Sequence, residues 1–454
     1  MPLVPFSEVS PASLRLPGDV AVSSRLVITL VWLILPALAA CSALPAGDTA
    51  GADFLYVWTG DEDGADPDFL AVFDVHPGSA RYGELIRTVP VEGRENWPHH
   101  TEYELSPGGV LFANGWNTGR TFVFDLSRPD APRVAHSFTE VGGFAYPHSY
   151  ARLPNGNVLA TFQSLAGDYA PPGGLVEMDD SGALIRAVSG ASPEIPTEDT
   201  WPYSLLVMPD LDRVITTNTR MGMVAEWLAE ESGASDEHAH AVGRHTRPSH
   251  VQIWRLSSLE LLATLQLPAQ GGGHHEHPTE PRRLASGEVF VNTFSCGLYR
   301  IVGVATEHPR IEATLHSPFE APNWCAVPVV LGNYWIQPSA TEHAIVAYDL
   351  SDPTRPRETS RVVFEAPFRA PHWLALDPSA PRIVVTADWP DVWVMLLNLD
   401  PETGRLSVDE RFRDAGSDRP GVRFDRTDWP HGATGRAMPH GAVFSVSTTP
   451  TTDR

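Results

Sequence analysis

Long apolar runs, amphipathic helix patterns, cations and cysteines are all scarce in this chain, and each scarcity excludes something. The apolar run at 26–40 is too short for a comfortable membrane span. No long amphipathic helix pattern appears, so the 42 prolines and 36 glycines point to many short strands joined by turns. Lys plus Arg number 32 against 56 Asp plus Glu, a formal net charge of −24. Such a surface repels phosphate backbones and anionic lipid heads and disfavours a nucleic-acid partner. There is no Gly-x-Ser-x-Gly nucleophile elbow, no phosphate-cradling loop and no dinucleotide fingerprint.

What is present is a repeat. The stretch 146–161 reads as a short strand, a tight Pro154-Asn155-Gly156 turn and a second apolar strand. Its Pro147-His148 step returns in similar form at Pro98-His99-His100, Pro202-Tyr203, Pro278-Thr279, Pro322-Asn323, Pro371-His372 and Pro430-His431. Self-similarity at roughly 40–50 residues with four strand signals per unit is the mark of a β-propeller. The unit after Pro147 shows all four, at 149–153, 157–162, 174–178 and 184–188. The fold class is therefore all-β, a seven-bladed β-propeller over 53–447. The strand-like segments 54–58, 69–75 and 85–89 lack an inner strand of their own. Strands near the C-terminus supply it, so pairing of the N- and C-terminal strands closes the ring and removes a sheet edge.

The flanks read separately. Arg25, the apolar run and Leu38-Ala39-Ala40-Cys41 describe an export signal over 1–40. The ending resembles the bacterial lipoprotein cleavage box, which implies lipidation of Cys41, a tether over 41–52, and an extracytoplasmic protein anchored by lipid alone. Residues 448–454 read as a disordered tail. The third full repeat carries an insertion, 219–249, on the face where the inner strands begin, a candidate lid over the channel mouth. Cys296 and Cys325 fall on that same face, after one strand B and before the next strand A; a disulfide and two separate buried thiols both fit.

Inner-strand residues line the central channel, so the Pro-His steps bring His100, His148 and His372 near one axis, with His99, His277, His431 and His440 near the same register. His250 begins a strand on the same face. Converging neutral imidazoles hold copper, iron, zinc or nickel. Glu102 is the carboxylate placed to orient an imidazole, and the Glu280/Arg282 pair reads as structural.

These residues resemble the selenium-binding protein and methanethiol oxidase family over most of the chain. The resemblance rests on 66–75 (DPDFLAVFDV), His99-His100, the 147–161 unit, Pro248-Ser249-His250, Pro278-x-Glu280-x-Arg282, 348–357 (YDLSDPTRPR) and 394–399 (VMLLNL). It implies a seven-bladed propeller and a copper-dependent oxidation of methanethiol by O2, with His99, His100, His148 and His250 near the metal. His372 has only the repeat behind it. Thr59 stands where the family has a cysteine linked with selenium. A non-catalytic metal-binding or scaffold propeller is the alternative reading.

Overall fold

The computed structural model describes residues 52–167, 169–221, 248–270, 275–315, 324–366, 368–387 and 393–446. The export signal, Cys41, most of the tether, Pro322, residues 222–247 of the insertion and the tail lie outside the described residues. Among the described residues no helix is long and apolar enough to cross a membrane.

Seven separate antiparallel sheets follow one another along the chain. We letter the blades in ring order. Blade A is Pro98–Thr101, Val110–Gly115, Arg120–Asp125 and Arg133–Phe138. The inner strands of blades B to F are Phe144–Arg152, Pro202–Met208, Pro278–Arg283, Val329–Leu331 and Pro371–Leu376. Blade G joins the chain ends. Its inner strand is Gly435–Phe444, and Phe54–Asp61, Phe69–Asp74 and Leu85–Pro90 follow outward. Leu55 pairs with Phe444 and Thr59 with Pro439, so the N-terminal segment supplies the second strand.

One local device repeats. In blades A, B, C, D, F and G the inner strand carries one residue more than its partner immediately after a proline: Pro98, Pro147, Pro202, Pro278, Pro371 and Pro439. A β-bulge frees a backbone position from the ladder and re-aims its side chain. It is also where a proline, which has no N–H to donate, fits into a sheet. The residue before the proline has left-handed φ at Trp97, Tyr146, His277 and Ala370. Side chains larger than glycine are strained there, so the surrounding structure must impose this bend.

This bulge corrects one expectation. The anchor of the closing blade is Pro439-His440, not Pro430-His431. Pro430 precedes the strand, and the His431 ring rests on Phe69 with Nδ1 2.8 Å from Thr88 of the outermost strand.

Apolar side chains between blades form the core. Trp58 packs its ring 5.4 and 5.6 Å from Phe122 and Phe124 of blade A and donates its indole N–H to the Asn114 carbonyl. Truncating a buried aromatic of this kind costs about 3–5 kcal/mol. A buried ion pair fastens blade F to blade G. Arg382 binds Asp377 at 2.6 Å and donates to the Val75 carbonyl, while Asp377 accepts the Ala52 N–H. At the outer edge the recurrent Asp-Leu-Ser turns close as expected: Asp125 and Asp349 each accept the N–H two residues on and pair with Arg133 and Arg357. Cys296 and Cys325 are disulfide-bonded and tie blade D to the approach of blade E.

Candidate metal centre

The residue that follows each anchoring proline is His99, His148, Tyr203, Thr279, His372 or His440. The four histidines belong to the adjacent blades F, G, A and B, so they form an arc around one side of the channel. His100 adds a fifth ring. The His99 and His100 rings are stacked 4.2 Å apart, and His148 stands 5.0 and 4.3 Å from them. His440 lies 4.6 Å from both His99 and His372. Ligand nitrogens of His99, His100 and His148 fall within 4.8 Å of one another, as do those of His99, His372 and His440. His99 is common to both sets.

All five rings are buried. Burial, and secondarily the neighbouring imidazoles, hold His99 and His100 well below the ordinary histidine range; burial likewise holds His148 low. They are therefore neutral near pH 7, as ligands must be. The proton positions follow from the partners. Nδ1 of His148 faces the Tyr203 carbonyl at 2.9 Å, and Nδ1 of His440 faces the His99 carbonyl at 2.8 Å. A carbonyl only accepts, so each Nδ1 carries the hydrogen and each Nε2 the lone pair. Nδ1 of His99 and Nε2 of His100 and His148 are buried with no hydrogen-bond partner. Three buried, unsatisfied nitrogens pointed into one cluster are a costly arrangement unless an ion completes it. The donor set fits a metal that prefers imidazole.

Two expected site residues are elsewhere. His250 begins the third strand of its blade, His250–Arg255, two strands out from the inner one. At about 4.8 Å per strand spacing it lies too far from the arc to share an ion. Burial alone lowers it, to about 4. The shared face was read correctly and the radius was not. Glu102 also misses the imidazoles. Its oxygens accept from Arg152 at 2.9–3.0 Å and from the Phe112 N–H. Burial pushes its carboxyl up to about 7, with Arg152 pulling the other way. Glu102 is an interior partner of Arg152, not an imidazole-orienting group.

Below the arc an aromatic layer closes the channel. Trp373 meets His100 edge-on at 4.8 Å and stacks on Tyr103 at 5.2 Å. The Tyr103 hydroxyl donates to Glu280 at 2.6 Å, and Arg282 pairs with Glu280 at 2.9 Å as expected. Beneath this layer lies a cavity of about 350 Å³, lined by Glu102, Tyr103, Glu104, Arg152, Arg282, Arg283 and apolar residues of the inner strands.

Above the arc a second aromatic group has no counterpart in the sequence reading. Trp116 stands 6.1 Å from His99 and 6.2 Å from His148, Tyr169 packs on Trp116, and Trp201 packs on Tyr169. Arg220 covers Tyr169 at 5.9 Å and Trp201 at 5.2 Å. Arg220 is only 5% exposed. Two cation–π contacts of about 0.5–2 kcal/mol each do not offset the several kcal/mol of burying a charge.

Comparison with known proteins finds partial sequence relatives and a shared fold. A methanethiol oxidase from Ruegeria pomeroyi is 32% identical over 158 residues, covering 33% of this chain and 34% of that protein. One from Hyphomicrobium is 27% identical over 179 residues, covering 37% and 39%. Over these segments the chain is similar to methanethiol oxidases and selenium-binding proteins. The aligned segments span little more than a third of the length of these family members. No family model matches the chain. A solved structure described as a hypothetical selenium-binding protein from Sulfolobus tokodaii superposes with a TM-score of 0.67 at 17% identity, covering 87% of this chain and 94% of that one. That likeness shows the fold.

Proposed function

We propose that the protein is a copper-dependent oxidoreductase of methanethiol-oxidase type, acting on a small thiol with O2. His99, His100 and His148 hold the metal, and His372 and His440 extend the site from the other side of His99. The observation that carries this reading is the set of buried, neutral imidazoles with open nitrogens at the channel mouth. The names of the aligned relatives support the thiol and oxygen chemistry. Copper bound there would supply a soft, redox-active centre. Iron and zinc also accept imidazole, but copper heads the affinity order for such nitrogen ligands.

The chain's own groups have distinct tasks. The carbonyls of Tyr203 and His99 fix the tautomers of His148 and His440, so that Nε2 is presented. The Ser149 hydroxyl, 3.2 Å from Nδ1 of His100, holds the orientation of that ring and can serve either tautomer. Trp373 and Tyr103 stack beneath the histidines and wall the site on that side. Trp116 walls the approach above.

The test is metal analysis of purified protein loaded with copper, followed by hydrogen peroxide release from methanethiol. The expectation is stoichiometric copper and thiol-dependent peroxide. Protein that stays empty on copper titration would overturn the reading. Protein that binds copper and releases no peroxide is the non-catalytic metal-binding propeller.

The same proposal places the protein outside the cytoplasm, lipid-anchored through Cys41. The Leu-Ala-Ala-Cys sequence supports this, and the Cys296–Cys325 disulfide suits an oxidising compartment. Radiolabelled palmitate incorporation into the wild type and its loss in Cys41→Ser check it.

A further inference from the structure

Arg220 and Arg382 are buried to almost the same degree, and they differ in what compensates their charge. Arg382 has Asp377 at 2.6 Å and two backbone carbonyls. Arg220 has two aromatic faces, and among the described residues it has no carboxylate at ion-pairing distance and no hydrogen bond from its side chain. Its Nε is fully sequestered and unpartnered. A guanidinium in this state carries an uncompensated desolvation cost, and truncated ion pairs show how large that cost is. A fold keeps such a group when a ligand completes it.

Its position says which ligand. The strand Arg213–Asn218 runs outward from the far end of the channel, so Arg220 emerges on the face where the inner strands begin. That is the histidine face. Tyr169 and Trp116 form an unbroken line of ring contacts from Arg220 to His99 and His148. Gln163 fixes the near end: its carbonyl oxygen accepts the Met221 N–H, and its amide holds the Thr219 carbonyl.

We propose that Arg220 binds an organic carboxylate or sulfonate above the histidine arc, the anionic end of a thiol substrate long enough to run along the aromatic line. A planar guanidinium matches a carboxylate or sulfonate in fork geometry, while the aromatic wall takes the methylene segment. This deepens the thiol-oxidase reading and rests on it for the fate of the sulfur, but not for the binding of the anion.

The experiment separates the two. Metal-free protein is titrated by calorimetry with 3-mercaptopropionate, propionate and 1-propanethiol. The expected result is binding of 3-mercaptopropionate at least tenfold tighter than 1-propanethiol, with propionate binding measurably. Arg220→Gln abolishes that preference, and Arg220→Lys keeps part of it. Because the charge is uncompensated without ligand, Arg220→Gln also raises the Tm of the metal-free protein. Equal binding of the charged and neutral thiols by wild type overturns the proposal. So does an Arg220→Gln variant with unchanged preference. A lowered Tm in Arg220→Gln, together with no effect of propionate on wild type, assigns the arginine to a carboxylate of the chain itself, such as Glu226 or Glu230, and also overturns it. If copper-loaded protein oxidises no thiol while the metal-free preference holds, the oxidase reading falls and the anion site stands. If methanethiol is oxidised and no preference appears, the reverse is true.

Discussion

The two ends of the channel are built from the same inner strands and spend their polar groups in opposite ways. At the lower end the prominent charges are ion-paired, Glu102 with Arg152 and Glu280 with Arg282 and the Tyr103 hydroxyl, although Glu280 Oε1 and Arg282 Nη2 have no hydrogen-bond partner. At the upper end five imidazoles crowd together, with open nitrogens on His99, His100 and His148, and an arginine above them has no counter-ion among the described residues. Paired groups in a buried site are the mark of architecture, and open ones are the mark of a site that awaits something. The sequence ranks Glu102 and the histidines together as candidates; the structure separates them by this criterion.

The contrast breaks most sharply at the histidines. His100→Asn and His148→Asn are expected to reduce bound copper to under a tenth per chain and thiol oxidation by at least 100-fold, a loss of about 2.7 kcal/mol or more in transition-state terms. Elemental analysis and peroxide release check this, with His250→Asn as the control that retains both. At the lower end Arg152→Met strands a buried carboxylate and is expected to cost about 3–5 kcal/mol of stability in urea unfolding. Glu102→Gln leaves the turnover of the folded fraction within about twofold. A large loss of turnover in Glu102→Gln would erase the distinction between the two ends.

Next in size is the disulfide, which closes a 29-residue separation. Chain-entropy reasoning assigns it about 3–4 kcal/mol, which comparison of Cys296→Ser/Cys325→Ser with wild type measures. Proton linkage follows. His99, His100 and His148 have folded pKa values below the unfolded value of about 6.5. The unfolded chain thus binds more protons below that pH, and metal-free protein loses stability as pH falls through about 6.5. The limit is about 1.4 kcal/mol per pH unit for each histidine. Glu102, raised to about 7, works the other way by one proton. Bound copper competes with the protons and moves the loss to lower pH; urea midpoints from pH 7.5 to 5 in both states provide the comparison. The smallest effect sharpens the upper end: Ala370→Gly relieves a left-handed φ before Pro371 and is expected to add about 1 kcal/mol.

Much of this was legible in the sequence because the repeat signal has a physical cause. Pro-x opens six of the units among the described residues because the bulge needs no N–H there, and the bulge also re-aims the residue that follows. His372 was found by that rule alone. The same dipeptide misled at Pro430-His431, nine residues early; the apolar run after Pro439-His440 is the signal that separates the two. His250 was overread because a loop's face is set by strand direction, whereas its distance from the axis is set by strand order. Arg220 left no trace in the sequence. A single arginine after a Thr-Asn-Thr strand end belongs to no motif, and its lack of a partner among the described residues is a property of three-dimensional neighbours only.

The closing blade also dictates when the site can exist. His440 arrives on the final strand, between His372 and His99, and the ring cannot shut without it. Before the C-terminal strand arrives, His372 and His99 lack the ring that bridges them, whereas His99, His100 and His148 belong to blades A and B alone. A metal held by His99, His372 and His440 would therefore be seated only after the ring closes.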